Sequence, residues 1–126
     1  MKFLNSLYSI ESKEVSDSSV TYHIFLDGGH VVYRAHFPGN PITPGVCIIQ
    51  IAKELMEDHL KQPLDIQRVK NVKFLRVISP LAIPRVTYQF TAIATDSSAQ
   101  GFRTQVQVLA GDSLLAKLSF TCCAPN

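Results

Sequence analysis

One stretch of the chain concentrates the residues whose types and spacing could do chemistry. It runs from His36 to Val46 and reads His-Phe-Pro-Gly-Asn-Pro-Ile-Thr-Pro-Gly-Val. The imidazole of His36 titrates near neutral pH, so it can act as a base. Gly45 comes at the start of an apolar helical pattern, where unpaired backbone N–H groups and the positive end of the helix dipole point outward. The stretch therefore predicts proton transfer beside a stabilised negative charge.

A helix must position this stretch, and the sequence predicts it over about residues 44–61. We expect Thr43 to cap this helix and Pro44 to take its first position, where the missing N–H costs nothing. Apolar residues cover well over half of the circumference, which is typical of a helix that a sheet wraps. Pro63 follows the predicted end.

Strand patterns lie on both sides of the helix. Alternating apolar and polar residues predict strands over about 7–15, 19–27, 66–78, 86–95, 102–108 and 114–120. Turns are predicted at residues 96–98 and at Gly111-Asp112. The economical architecture is α+β, one curled antiparallel sheet around one long helix. Such a sheet has edge strands, and dimerisation through one edge would hide it.

Composition narrows the class of protein. The 126 residues fit a single domain over 1–126, and no apolar run reaches the ~20 residues of a membrane span. No signal peptide is visible, and three cysteines, an odd number, favour a reducing, cytoplasmic compartment. No metal-ligand spacing or glycine-rich phosphate loop occurs, so neither a metal nor a cofactor is expected. The absence of tryptophan and of nucleic-acid motifs argues against a nucleic-acid partner.

Positive charge is concentrated after the predicted helix. Residues 60–85 carry six lysines and arginines against Asp65 alone, a local sum of +5 in a chain of net charge +2. A basic stretch of this kind can steer an acidic partner. An alternative interpretation is a solvated strand face with no partner.

The stretch from His36 to Val46 resembles the H-F-P-G-x-P-I/V-M-P-G-V pattern of the beta-hydroxyacyl-acyl carrier protein dehydratases (FabZ/FabA-like), which have the hotdog fold. Ten of the eleven positions agree, with Thr43 where methionine is usual. Asn71-Val72-Lys73-Phe74 looks like a second family strand, and the resemblance covers about residues 18–122. It implies a hotdog fold, a sheet curled around a central helix. The family's usual N-terminal helix has no counterpart here.

The resemblance also implies a reaction, the elimination of water from beta-hydroxyacyl thioesters to give trans-2-enoyl thioesters in fatty-acid, lipid or polyene biosynthesis. His36 would be the catalytic base, and the N–H of Gly45 would bind the thioester carbonyl. Phe37, Pro44 and Val46 would contact the substrate. The substrate would be carried on an acyl carrier protein, and the enzyme would be a homo-oligomer, either a dimer or a trimer of dimers. Because carrier proteins are acidic, we expect Arg68, Lys70, Lys73 and Arg76 to dock one.

One position departs from the family pattern. Family members carry a glutamate or aspartate five residues beyond the second glycine, where this chain has Gln50. An amide can hold a hydroxyl or a water molecule but cannot donate a proton as a general acid, and such help is typically worth about 10²–10⁴-fold in rate. Glu54 lies one helical turn further, but we expect it on a polar stripe with Lys53 and Glu57, out of reach of the site. Gln50 thus leaves open a weakened dehydratase, an acyl thioesterase, or a non-catalytic subunit of a heteromeric dehydratase.

Overall fold

The computed structural model describes residues 2–35, 39–96 and 101–125. These residues form two helices and six strands, joined in one antiparallel sheet with the strand order β1-β2-β4-β5-β6-β3. The elements in chain order are β1 (Tyr8–Val15), β2 (Val20–Leu26), α1 (Val32–Ala35), α2 (Gly45–Leu60), β3 (Asp65–Phe74), β4 (Arg85–Asp96), β5 (Gly101–Ala110) and β6 (Ser113–Cys123). The predicted α+β architecture is confirmed.

The core lies between α2 and one face of the sheet. Along β2 every second residue is buried, as expected of a strand with one covered face. The strands supply Ile24, Tyr88, Phe90, Val106 and Phe120 to this core, and the helix supplies Ile48, Ile51, Ala52, Leu55 and Met56. Burial of these side chains is the main stabilising term, at roughly 1.5–3 kcal/mol for each large aliphatic or aromatic residue.

The helix begins one residue later than predicted. Pro44 is the N-cap residue with extended backbone angles, and no side chain caps the helix. The prediction that Thr43 caps it was wrong, because the Thr43 hydroxyl is committed to Tyr33 instead. At the other end, Lys61 adopts a left-handed conformation and its N–H donates to the carbonyl of Glu57. The helix therefore ends at Leu60, three residues before Pro63 and close to the predicted end.

Two segments differ from the sequence prediction. Residues 32–35, expected to lead straight into the loop, form the short helix α1, and β3 ends at Phe74 rather than near residue 78. The hairpin at Gly111 is confirmed, and this glycine has the positive φ of 59° that such a turn requires. The predicted turn at residues 96–98 lies mostly outside the described residues.

Strands β1 and β3 are the two edges of the sheet. Most residues of β3 are exposed, as is common for a strand at the edge of a sheet. Before β1, residues 3–8 form a tight turn around Asn5, whose φ is +68°. This turn packs onto α2, so part of the helix that the sheet leaves open is covered by the start of the chain.

Within the described ranges, neither helix combines the length and the hydropathy needed to cross a bilayer.

Candidate functional site

The amino end of α2 offers backbone donors to a ligand. The N–H groups of Cys47 and Ile48 donate to the carbonyl of Pro44, at 3.0 and 3.1 Å. The N–H groups of Gly45 and Val46 have no acceptor among the described residues. Two free N–H groups at the positive end of a 16-residue helix form a site that favours an anionic oxygen.

An apolar slot opens beside these donors. Its volume is about 340 Å³, and it is lined by Gly45, Ile48, Phe74, Leu75, Arg76, Val77 and Ile78. A Cβ atom on Gly45 would lie 2.8 Å from the Phe74 ring, so the ring packs directly over the start of the helix. This ring is 48% exposed, and one of its sides faces the open slot. The slot can therefore accommodate an apolar chain beside Gly45.

The loop before α2 is pinned on both sides. The Tyr33 hydroxyl at its start and the Thr43 hydroxyl at its end are 2.9 Å apart, and both residues are buried. The Thr43 N–H also donates to the carbonyl of Ile78 at 2.8 Å. These contacts hold Tyr33 and Thr43, the residues that flank the loop, against the core.

Of the five predicted site residues in the loop and at the start of the helix, the structure describes three. His36 and Phe37 lie outside the described residues, so their predicted roles stay predictions. Pro44 is half-buried as the N-cap, and Gly45 lines the slot. Val46, which the helical pattern counted among the apolar residues that bury the helix, is 76% exposed beside Gly45.

Glu54 is not on an exposed polar stripe, contrary to the sequence prediction. Its side chain is buried, at 2% exposure, and Gln50 Nε2 donates to its Oε2 at 2.9 Å. The stripe failed as a prediction because the N-terminal turn, rather than solvent, covers this side of the helix. Lys53 and Glu57 do form an ion pair, with 3.5 Å between Nζ and Oε1.

The Glu54 carboxylate accepts four donor groups. One donor is the Gln50 amide. The others are the N–H groups of Phe3 and Leu4, whose nitrogens each lie 2.8 Å from a carboxylate oxygen, and the Tyr8 hydroxyl, whose oxygen lies 3.2 Å from Oε1. Burial and the nearby Glu54 charge raise the pKa of Tyr8, so this phenol remains a proton donor. Sequence reasoning missed Glu54 as a site residue, although the i, i+4 spacing from Gln50 was visible.

The four predicted docking cations are all exposed but do not form one cluster. Arg68 and Lys73 are paired with Thr121 and Lys117 on the outer side of β3 and β6, away from α2. Lys70 lines a groove on the same face, whereas Arg76 lines the slot. The structure adds Lys117, which the sequence prediction did not include and which stands opposite Lys73.

The two buried cysteines, Cys47 and Cys122, do not resemble nucleophiles. Burial raises the pKa of Cys47 and raises that of Cys122 to about 12, so both thiols remain protonated near neutral pH. The described residues contain no cluster of histidine, cysteine and carboxylate side chains suited to a metal ion.

A family model connects this site to known chemistry. Residues 12–111 match the ApeI-like family, described as ApeI dehydratase. The chain belongs to the ApeI-like dehydratase family. The match covers the second half of β1, the loop before α2, α2 itself and the whole of β2 to β5, so the family assignment includes the amino end of the helix and the slot. It supports the dehydratase superfamily that the loop pattern indicated, without distinguishing a FabZ/FabA-like member.

Solved structures share the fold. One chain of the dehydratase heterocomplex ApeI:P from Xenorhabdus doucetiae is 18% identical, with a TM-score of 0.66 over 90% of this chain and 96% of that one. A homologue of HP0420 from Helicobacter felis is 13% identical, with a TM-score of 0.64 over 99% and 93%. An uncharacterized protein from Erwinia carotovora subsp. atroseptica is 17% identical, with a TM-score of 0.59 over 91% and 92%.

These likenesses establish the hotdog fold, a curled six-stranded sheet against a helix, with the sheet left open. No curated protein matches the sequence.

Proposed function

We propose that this ApeI-like dehydratase eliminates water from beta-hydroxyacyl thioesters and releases trans-2-enoyl thioesters. The proposal rests on one observation above all, a Gly45 that lines an apolar slot and whose N–H has no acceptor among the described residues, in a chain of a dehydratase family. The slot would hold the acyl chain. The pathway would be the synthesis of fatty acids, other lipids or polyenes.

In the proposed reaction, His36 removes a proton from the α-carbon of the substrate. The electron pair moves to the thioester carbonyl, and the resulting enolate oxygen is stabilised by the Gly45 N–H. A donor of this kind, pre-oriented by a helix, is typically worth about 10²–10³-fold in rate. The close approach of the substrate requires the absence of a side chain at position 45.

The leaving hydroxyl also needs a proton. When the enolate collapses, the C–O bond at the β-carbon breaks and hydroxide must leave as water. Gln50 cannot supply this proton, and Glu54 is engaged by four donors. We therefore infer that the protonated His36 returns its proton to the hydroxyl, while the Gln50 amide holds that hydroxyl in place.

The substrate would arrive on an acyl carrier protein. Carrier proteins are acidic, and Lys73 stands on the outer face of β3 next to Phe74, which borders the slot. Arg76 lies at the slot itself. An acidic carrier held by Arg68, Lys70, Lys73 and Arg76 would thus bring its thioester close to the helix end.

The direct test is conversion of a beta-hydroxyacyl-carrier substrate to the enoyl form. We expect turnover by the native chain and a loss of at least about 10²-fold in His36→Ala, as for removal of a general base. Native turnover no faster than that of His36→Ala would contradict the proposal. Release of free thiol in place of the enoyl product would identify a thioesterase.

Carrier docking has its own control. Arg68→Glu and Lys73→Glu, neither of which lines the slot, are expected to raise KM for the carrier-bound substrate. The KM for the N-acetylcysteamine thioester should stay unchanged, because this small substrate lacks the acidic protein. Lys13→Glu, on the opposite edge strand β1, makes the same charge change far from β3 and should alter neither. Equal effects of all three variants would argue against docking at β3.

A second candidate is a subunit of a heteromeric dehydratase, and the edge strand β3 supports it. Four large apolar side chains on or beside this strand are exposed, namely Val69, Phe74, Leu75 and Val77. A ten-residue edge with such side chains usually pairs with another chain. Pairing here would also close the slot from the side that is open.

Charge on β3 bears on whether the partner is a second copy. Arg68, Lys70 and Lys73 stand on this strand against Asp65 alone. Two antiparallel copies about a two-fold axis would bring these cations together, and like charges across a strand pair are destabilising. A different subunit with an acidic edge avoids this repulsion, and the ApeI:P dehydratase heterocomplex offers a structural parallel.

The homo-oligomer implied by the family resemblance and the heteromer make different predictions. A homodimer should show twice the chain mass in sedimentation and should turn over substrate alone. A heteromeric subunit should be inactive alone and become active when mixed with a hotdog dehydratase subunit that carries glutamate at the position of Gln50. Activity of the isolated chain would exclude this second candidate.

A further inference from the structure

We propose that Glu54 is a positioning residue that fixes the orientation of the Gln50 amide in the active site. The inference rests on the proposed function, in which Gln50 holds the substrate hydroxyl. It adds a buried residue to that site which contacts no substrate. The observation behind it is the 2.9 Å contact between Gln50 Nε2 and Glu54 Oε2.

A carboxylate determines which way round the amide must lie. An ionised carboxylate can only accept hydrogen bonds, so the NH₂ group of Gln50 must be the part that faces Glu54. The amide carbonyl of Gln50 then lies on the other branch of the side chain. Without the Glu54 carboxylate, the NH₂ group would lose its acceptor on this side, and the orientation of the amide would no longer be fixed from here.

Glu54 is itself held firmly. It comes from the buried side of α2, and three groups of the N-terminal turn donate to it, the N–H groups of Phe3 and Leu4 and the Tyr8 hydroxyl. No lysine or arginine of the described residues forms an ion pair with it. Oriented backbone N–H groups therefore stabilise the charge, as buried carboxylates require.

The arrangement gives the N-terminal turn a role in the site. Phe3 and Leu4 of the turn donate to Glu54, and Glu54 in turn accepts from Gln50. The carboxylate links the N-terminal turn to Gln50. Its Oε1 accepts hydrogen bonds from the Leu4 N–H and the Tyr8 hydroxyl, and its Oε2 accepts one from the Gln50 amide. We infer that the turn and Glu54 together keep the Gln50 amide in one orientation.

The test compares Glu54→Gln with Glu57→Gln in the full chain. Glu57 lies on the same helix and also accepts a backbone N–H, that of Leu64 at 2.8 Å, but the structure gives no contact between it and Gln50. In Glu54→Gln the new NH₂ group confronts that of Gln50, so the Gln50 amide must turn round. We expect kcat for β-hydroxyoctanoyl-N-acetylcysteamine to fall roughly 10- to 100-fold with little change in KM, as for a misplaced catalytic group.

Two further measurements separate positioning from folding. Gln50→Ala should lower kcat to a similar extent, and Glu54→Gln added to it should lower kcat no further, because Glu54 acts through Gln50. Equal losses in Glu54→Gln and Glu57→Gln, or additive losses in the double variant, would overturn the proposal.

A readout without turnover keeps this inference separate from the proposed function. The side-chain NH₂ resonances of Gln50, assigned by their loss in Gln50→Ala, should shift in Glu54→Gln and stay unchanged in Glu57→Gln. Unchanged resonances in Glu54→Gln would overturn the positioning role whatever the activity. Shifted resonances in Glu54→Gln together with no turnover by the native chain would instead refute the proposed reaction and leave Glu54 as the group that orients Gln50.

Discussion

Replacing Gln50 with glutamate would put a carboxyl group where the dehydratase pattern has one. In this chain that group would meet the Glu54 carboxylate, because the present contact between the two side chains is 2.9 Å. Two ionised carboxylates at that separation repel each other by about 6 kcal/mol at an effective dielectric constant of about 20. Keeping one proton at pH 7 on a carboxyl with an ordinary pKa of about 4.3 costs only about 4 kcal/mol. The pair is therefore expected to retain a proton.

The proton makes the penalty depend on pH in a definite direction. The pKa of the introduced carboxyl is raised in the folded state and ordinary in the unfolded state, so the penalty is absent below about pH 4.3 and grows as the pH rises toward the folded-state value. We expect Gln50→Glu to lower the free energy of unfolding by about 4 kcal/mol near pH 7 and by about 1 kcal/mol near pH 5. Urea unfolding followed by circular dichroism at both pH values measures this difference.

The exchange variant Gln50→Glu with Glu54→Gln is the matched control. It keeps the net charge and places one carboxylate beside one amide, so the added pH dependence should disappear. A Gln50→Glu protein whose stability follows that of the native chain at both pH values would show that the two side chains do not meet. That result would also remove the basis for Glu54 as a positioning residue.

Three other measurements test separate parts of the structure. Thr43→Val should lower the free energy of unfolding by about 1–2 kcal/mol, because the buried Tyr33 hydroxyl loses its hydrogen-bond partner. If the two hydroxyls bond only each other, adding Tyr33→Phe to this variant should lower the free energy of unfolding little further. Gly45→Ala should raise KM for acyl thioesters, since the new methyl group must displace the Phe74 ring at the slot. The free energy of unfolding, measured with urea, should change little, because the exposed ring can move outward. Burial, with Lys13 and Lys61, lowers the pKa of His59. The stability that this neutral histidine contributes is therefore present above about pH 6.5 and is lost as the pH falls below that value. The variant His59→Gln should flatten this part of the pH profile of urea unfolding, and an unchanged profile would contradict the prediction.

The fold and the place of the site were predictable because their signals are local. Alternation with period two along β2, β4 and β5 and the broad apolar face of α2 each lie within one element. The loop from residue 36 to residue 46 is contiguous, so its resemblance to the dehydratase pattern could be read without a structure. The helix end, the slot beside Gly45 and the ApeI-like family agree with that reading, and the role of His36 stays a prediction.

Contacts between distant parts of the chain were decided only by the tertiary structure. The Glu54 carboxylate accepts a hydrogen bond from the N–H of Phe3, which is 51 residues away in the sequence. The pattern of the helix alone does not distinguish a polar stripe that is exposed to solvent from one that another segment buries. Lys73 faces Lys117 only because two bulges shift the register of β3 against β6. The sequence by itself determined which elements form and which loop carries the chemistry, since propensity and periodicity act within a segment. Which side chains meet across segments depends on packing and register, and this is why Glu54 became visible only in the folded chain.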